Sequence, residues 1–74
     1  MTLYTGWISF DPKTETTEAA RKFLTSLGIA VGVLRATPSA DTFEGCVATT
    51  DQINLLDPHF GRFIWGMEPM EGGA

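Results

Sequence analysis

The segment IAVGVLRATPSADTFEGCVAT, residues 29–49, lies at the centre of the predicted fold. It contains two runs rich in apolar and β-branched residues, 29–37 and 42–49, separated by Pro38-Ser39-Ala40-Asp41. Runs of this composition on either side of a Pro- and Asp-containing turn are typical of two strands joined as a hairpin. The sequence therefore predicts the second and third strands of a sheet here.

A helix is predicted immediately before this hairpin, over residues 15–27. Thr14 is the expected N-cap, and Gly28 stands where a helix C′ glycine is expected. The residues spaced to share one apolar face of the helix are Ala20, Phe23, Leu24 and Leu27. We therefore expect this helix to pack one side against the sheet.

A second helix is predicted directly after the hairpin. Thr49-x-x-Gln52 fits a capping box, in which a threonine and a glutamine satisfy each other's backbone N–H groups at a helix start. The helix must be short, because Asp57-Pro58 disfavours its continuation. Aromatic and β-branched residues at 2–10 and 62–68 predict the first and fourth strands.

The predicted element order is therefore β-α-β-β-α-β, which is the ferredoxin-like pattern. Right-handed connections place both helices on one face of a four-stranded antiparallel sheet, with the first and third strands central. An α+β domain with another strand order is the alternative. The chain of 74 residues is short enough for a single domain, which we assign to residues 1–70, and we expect a disordered tail at residues 71–74.

Composition restricts the chemistry. Cys46 is the only cysteine and His59 the only histidine, so one chain has neither an internal disulfide nor a His/Cys metal cluster, and we expect no cofactor. No apolar run approaches the ~20 residues of a membrane span, and the N-terminus does not resemble a secretion signal. We expect a cytoplasmic protein with a reduced thiol and no membrane association.

Charge is distributed unevenly along the chain. The formal net charge is −4, and residues 41–74 contain six acidic side chains but only Arg62 as a base. Binding to a phosphate backbone normally requires a basic surface, so nucleic-acid binding is disfavoured. The acidic half suits a basic partner surface, although such charge also simply favours solubility.

The sheet face opposite the helices is predicted to be too apolar for exposure to water. With Glu44 and Glu68 marking the outer side, regular alternation also places these residues there: Tyr4, Ile8, Phe10, Leu34, Cys46 and Ile64. In the alternative orientation of the first strand, Leu3 and Trp7 replace Tyr4, Ile8 and Phe10. Gly6, Gly32 and Gly66 would allow another backbone to approach this face closely. We expect a second copy or another protein to bind it, the alternative being coverage by the chain's own tail or its 37–42 turn.

The sequence contains few candidates for a catalytic residue. His59, in Asp57-Pro58-His59-Phe60-Gly61, is the only weak catalytic candidate, because the Asp57 carboxylate could orient an imidazole for general-base chemistry. The alternative is a histidine that only stabilises a turn or a helix end. No phosphate-binding loop or C-x-x-C motif is present.

The expected function is that of a small non-enzymatic protein-binding module, acting through the apolar face and the acidic C-terminal half. Its size and lack of recognisable chemistry fit an inhibitor or adaptor, for example a viral one acting on a host protein. Its partner would be itself, as a homodimer, or another protein. The alternative is a small dimeric enzyme or ligand-binding domain, with a pocket near His59 lined by Trp7 or Trp65.

Overall fold

The computed structural model describes residues 2–70 of the chain. Its elements follow one another as β1 (Leu3–Phe10), α1 (Thr17–Ser26), β2 (Val33–Ala36), β3 (Asp41–Thr49), α2 (Thr50–Leu56), a 3₁₀ turn (Asp57–His59) and β4 (Phe63–Pro69). The strands form one antiparallel sheet in the order β2-β3-β1-β4. The prediction of an α+β fold with a four-stranded antiparallel sheet and two helices is confirmed. The tail predicted at residues 71–74 lies outside the described residues.

One core joins both helices to one side of the sheet. Its buried residues are Ile8, Phe10, Ala20, Leu24, Ile29, Phe43, Cys46, Ala48, Leu56 and Phe63. Members from α1 and α2 pack with members from β1, β3 and β4, so the opposite side of the sheet has no helix on it. We call that opposite side the open face.

Local signals define the helix ends. The Thr49 hydroxyl accepts from the Gln52 N–H, and the Gln52 side chain accepts from the Thr49 N–H at 2.8 Å, which confirms the predicted capping box. Gly28, with φ +85°, follows α1 as predicted. The predicted N-cap was wrong, because Thr16 rather than Thr14 caps α1 by accepting from the Ala19 N–H. Thr14 instead belongs to the preceding turn, where its N–H donates to the Asp11 carbonyl.

The second strand is shorter than predicted. β2 covers only Val33–Ala36, and upstream of it the chain touches the sheet through one isolated bridge between Ala30 and Val47. Between these points Gly32 passes so close to β3 that a Cβ atom on it would lie 1.6 Å from the Glu44 carbonyl oxygen. The pairing of this segment with β3 is therefore interrupted at the position where β3 itself departs from a regular strand.

That irregularity is a bulge in β3 at Gly45. Gly6 pairs with Cys46 but Trp7 pairs with Glu44, so Gly45 is an extra residue on β3. Gly45 has φ +72°, a left-handed conformation that glycine adopts without a steric penalty. The extra residue reverses the alternation of side chains, so Phe43 and Cys46 both point into the core although they are three residues apart.

Five of the eight residues predicted for the outer face lie on the helix side instead, because of the bulge and the strand register. Cys46 is in the core because of the bulge, and Ile8 and Phe10 are in the core because β1 turns that side toward the helices. Leu34 pairs with Phe43 and packs against the core. Tyr4 shares the side of Ile8 and borders α2. Placing these five residues on the open face was therefore wrong.

The other three predicted residues, Glu44, Ile64 and Glu68, do lie on the open face. Glu44 and Gly66 are the partners of Trp7 in β3 and β4, and directly opposed residues point to the same side of a sheet. Ile64 and Glu68 lie two residues before and two residues after Gly66 on β4, so their side chains are on the same side of the sheet. The second orientation considered for the first strand, with Leu3 and Trp7 outward, is the one found.

Gly45 offers a clean test of the bulge. A Cβ atom on Gly45 would meet no atom within 4 Å, so replacement affects only the backbone conformation. We expect Gly45→Ala to lower the free energy of unfolding by about 1–2 kcal/mol, because L-residues are strained in the left-handed region. Gly45→Asn should cost less, because asparagine tolerates that region. Equal, negligible losses in urea denaturation of both variants would contradict the bulge.

Candidate functional site

The open face is an apolar surface organised around Trp7. Val33, Glu44, Trp7 and Gly66 follow one another in a single row across all four strands. The neighbouring row contains Arg35, Thr42, Ser9 and Ile64, and a 2.7 Å hydrogen bond between the Ser9 and Thr42 hydroxyls joins two of its strands. Trp7 therefore lies near the middle of the open face, with apolar side chains on both edge strands.

Exposure of large apolar side chains is concentrated on this face. Val33 is 77% exposed, Ile64 52%, and Leu3 and Trp7 each 41%. Met70 is also exposed, and its N–H donates to the carbonyl of Leu3 directly opposite, which places it on the same face. Of the seven large hydrophobic residues exposed within residues 2–70, only Leu55 and Phe60 lie elsewhere.

Trp7 packs against the sheet at Gly66, where the absence of a side chain leaves space for the indole. A Cβ atom on Gly66 would lie 2.7 Å from Nε1 and Cε2 of the Trp7 indole. The ring therefore lies across β4, where only glycine leaves room for it. This arrangement fixes Trp7 while leaving much of its other surface exposed to solvent.

The three glycines predicted to admit a foreign backbone serve the chain itself. Gly66 receives the Trp7 ring, and Gly32 allows the close approach to Glu44. A Cβ atom on Gly6 would lie 1.8 Å from the Gly66 carbonyl oxygen of the neighbouring strand. The space at these positions is thus occupied by intramolecular contacts, and it cannot serve another backbone as predicted.

The open face has few charges. Arg35 and Glu44 form an ion pair at 3.3 Å, and because both side chains are well exposed this pair adds little to stability. Glu68 lies near the other edge of the sheet, opposite Thr5. The centre of the open face is therefore apolar and close to neutral.

The helix side contains a different surface, a groove between α2 and the β1–β4 part of the sheet. Tyr4, Ile53, Asn54, Trp65 and Met67 line it, and its volume is about 430 Å³. Phe60 borders this region with its ring edge toward Trp65, the ring centres being 5.8 Å apart. The two tryptophans thus lie on opposite sides of the sheet.

Arg62, the one base of the acidic half, is paired within the chain. Its Nε donates to Glu15 at 2.9 Å in a two-point interaction, and its guanidinium lies over the rings of Phe23 and Phe63. Glu15 belongs to the other half of the sequence. The other formally charged side chains of residues 41–70 are all acidic.

Cys46 is a core residue rather than a surface thiol. It is fully buried, and its sulfur lies 3.5 Å from the Phe43 carbonyl oxygen, to which it donates. Burial raises the pKa of the Cys46 thiol, with a smaller opposing contribution from a backbone hydrogen bond at Gly32. A buried neutral thiol reacts slowly with electrophiles.

His59 lies in the 3₁₀ turn and is half-buried. Its ring packs edge-on against Phe23, with ring centres 4.7 Å apart, and its carbonyl accepts from the Arg62 N–H. No hydrogen bond joins it to the Asp57 carboxylate among the described residues. These contacts stabilise the turn, and a catalytic role for His59 stays a prediction.

Neither a metal site nor a membrane span emerges from residues 2–70. No three His, Cys, Asp or Glu side chains within that range come close enough to hold an ion. No helix in the same range has the length and apolarity needed to cross a bilayer.

The contact between Trp7 and Gly66 can be measured with a double-mutant cycle. We expect Gly66→Ala to lower the free energy of unfolding by about 1–3 kcal/mol, because the new methyl group forces the indole to move. In a Trp7→Ala background the same change should cost far less, since the ring is absent. Additive effects of the two substitutions in urea denaturation would contradict the packing of Trp7 on Gly66.

Comparison with known proteins adds no family assignment, because no family model, curated protein or solved structure matches the chain.

Proposed function

We propose that this chain is a ferredoxin-like, non-enzymatic protein-binding module of the inhibitor or adaptor type. The observation that supports the proposal is the concentration of exposed apolar side chains on the open face. An antiparallel sheet with one solvated face normally alternates apolar and polar residues, and here Leu3, Trp7, Val33 and Ile64 interrupt that alternation on the solvent side. Patches of this kind mark interaction sites more often than they mark plain surface.

The occupant we propose for the open face is a second copy of the chain. The four strands are ~4.8 Å apart and the rows from Leu3 to Ser9 rise ~3.3 Å per residue, so the face measures roughly 20 by 20 Å in plan. The pleated accessible area exceeds that plan area and approaches the lower limit for a specific interface. We therefore expect a weak dimer, with a dissociation constant of about 100 μM.

Charge is compatible with such a pairing. The central rows of the open face contain one ion pair, Arg35 with Glu44, and no excess charge that would repel an identical face. Glu68 lies toward the β4 edge, away from the centre. Two copies related by a two-fold axis would bury Trp7 from each side in a sheet-on-sheet sandwich, the symmetry most common among homodimers.

An adaptor or inhibitor role would use the surfaces that the dimer leaves free. These are the helix side and the edges of the sheets, where Asp41, Asp51 and Asp57 lie. A basic partner surface suits this charge. We propose a cytoplasmic location, where a lone reduced thiol such as that of Cys46 is usual.

Ile64 and Leu55 provide a matched pair of variants for the dimer. Their exposures are 52% and 51%, but Ile64 is on the open face and Leu55 is on α2. We expect Ile64→Lys to weaken self-association at least tenfold, because two lysines would enter an apolar interface. Leu55→Lys should leave it unchanged, and both variants should keep the wild-type circular dichroism spectrum.

Sedimentation equilibrium over a range of concentrations measures the effect. A wild-type protein that stays monomeric throughout, or an Ile64→Lys variant that dimerises as well as wild type, would contradict the proposed occupant. A monomeric wild type whose open-face resonances shift on binding another purified protein would indicate a heterologous partner instead.

A further inference from the structure

The free edge of β4 forms one wall of the groove beside α2, and its backbone is available for pairing. β4 is an edge strand, since its only strand neighbour in the sheet order is β1. Because the Met70 N–H donates to the Leu3 carbonyl, residues 70, 68, 66 and 64 direct their backbone groups toward β1. The residues between them direct theirs outward.

Trp65 and Met67 therefore present two N–H and two C=O groups along the outer edge. Within residues 2–70 these groups make no other backbone hydrogen bond. The edge is bounded on both sides, because the Phe63 carbonyl already accepts from the Gly61 N–H and Pro69 has no N–H to donate. The available edge is thus a defined stretch centred on Gly66.

The side chains beside this edge suit an added strand. Trp65 and Met67 point to the groove, where Ile53 and Tyr4 complete an apolar lining. An extended segment paired with β4 would place alternate side chains over the groove and the others on the open-face side, near Glu68. An apolar side chain fits the position over the groove, and a basic side chain fits the position near Glu68.

The opposite edge of the sheet lacks these properties. β2 has only four residues, and it includes the charged Arg35, which already pairs with Glu44. Short edge strands with charged side chains are protected against strand addition. β4 has seven residues and no lysine or arginine, so it is the edge open to pairing.

We propose that the β4 edge binds an extended segment of a partner protein by strand addition, with apolar side chains in the groove alternating with basic ones beside Glu68. Charge favours a basic partner segment. Asp51, Asp57 and Glu68 lie on or near the elements that form this region, and its one base, Arg62, is paired with Glu15. The proposal is independent of the open face, because a face-to-face dimer leaves both β4 edges free.

The test uses the full chain and a blocked synthetic peptide of alternating valine and lysine. We expect saturable binding with a dissociation constant below about 1 mM, and amide shifts in ¹H–¹⁵N spectra centred on Trp65 and Met67. A peptide of the same sequence, N-methylated at alternate valines, has the same charge but cannot complete the backbone ladder. It should bind at least tenfold more weakly.

Met67→Pro and Met67→Leu are the matched protein variants. Proline removes the outward N–H, which edge strands tolerate, and also replaces the groove-lining side chain of Met67. Met67→Pro should abolish peptide binding, whereas Met67→Leu, which keeps the N–H and an apolar side chain, should retain it. If Met67→Pro does not fold, the comparison of the two peptides on the wild-type chain still decides the question.

Three results would overturn the proposal: equal binding of the two peptides, shifts centred on Trp7 instead of Trp65, or undiminished peptide binding to a folded Met67→Pro variant. A dimer abolished by Met67→Pro but unaffected by Ile64→Lys would also overturn it, because a second copy would then occupy the edge.

Discussion

The bulge at Gly45 is the constraint on which the rest of the structure depends. β3 pairs with β1 along one side and with β2 along the other, and it contributes Phe43, Cys46 and Ala48 to the core. A regular strand could not place residues 43 and 46 on the same side. A residue at φ +72° makes this possible, and glycine adopts that conformation without strain.

The consequences of the bulge extend to both sides of the sheet. Toward the helices it buries the only cysteine, which is why the thiol is kept neutral and inaccessible. On the other side it turns Val47 outward, and Glu44 lies in the same row as Trp7 and Val33. The same irregularity therefore completes the core and places Val47 on the open face.

Two tryptophans with different environments result from this layout. Trp7 lies on the open face, immobilised over Gly66, where a flat partner would bury it. Trp65 lies on the helix side and its backbone groups point to the free edge of β4. The surface proposed for a broad apolar contact and the edge proposed for an extended segment are separate, so binding at one would not block the other.

The order of elements was predictable from sequence, because its signals are local. The capping box of Thr49 and Gln52, the glycine after α1 and the proline at residue 58 each act within a few residues. Among the several threonines before α1, sequence alone could not select Thr16 as the cap. That choice depends on the turn at Asp11, in which the Thr14 N–H donates to the Asp11 carbonyl.

The faces of the strands were less predictable, for physical reasons that differ between strands. In β1 both sides are partly apolar, so alternation allowed either orientation, and the packing of Ile8 and Phe10 decided it. In β3 the alternation rule assumed a regular strand, although a glycine inside a strand is itself a signal of a bulge. Met70 lies beyond the predicted fourth strand at 62–68, but its N–H donates to the Leu3 carbonyl and it extends the open face.

The central claim is that the open face is a binding surface for a second copy, and the two tryptophans test it within one molecule. Indole N–H resonances of Trp7 and Trp65 should be followed in ¹H–¹⁵N spectra as the protein is concentrated from about 10 μM to about 1 mM. The account predicts that the Trp7 indole resonance shifts to a plateau while that of Trp65 stays in place. A Trp7 resonance that does not change, or a shift confined to Trp65, would contradict it.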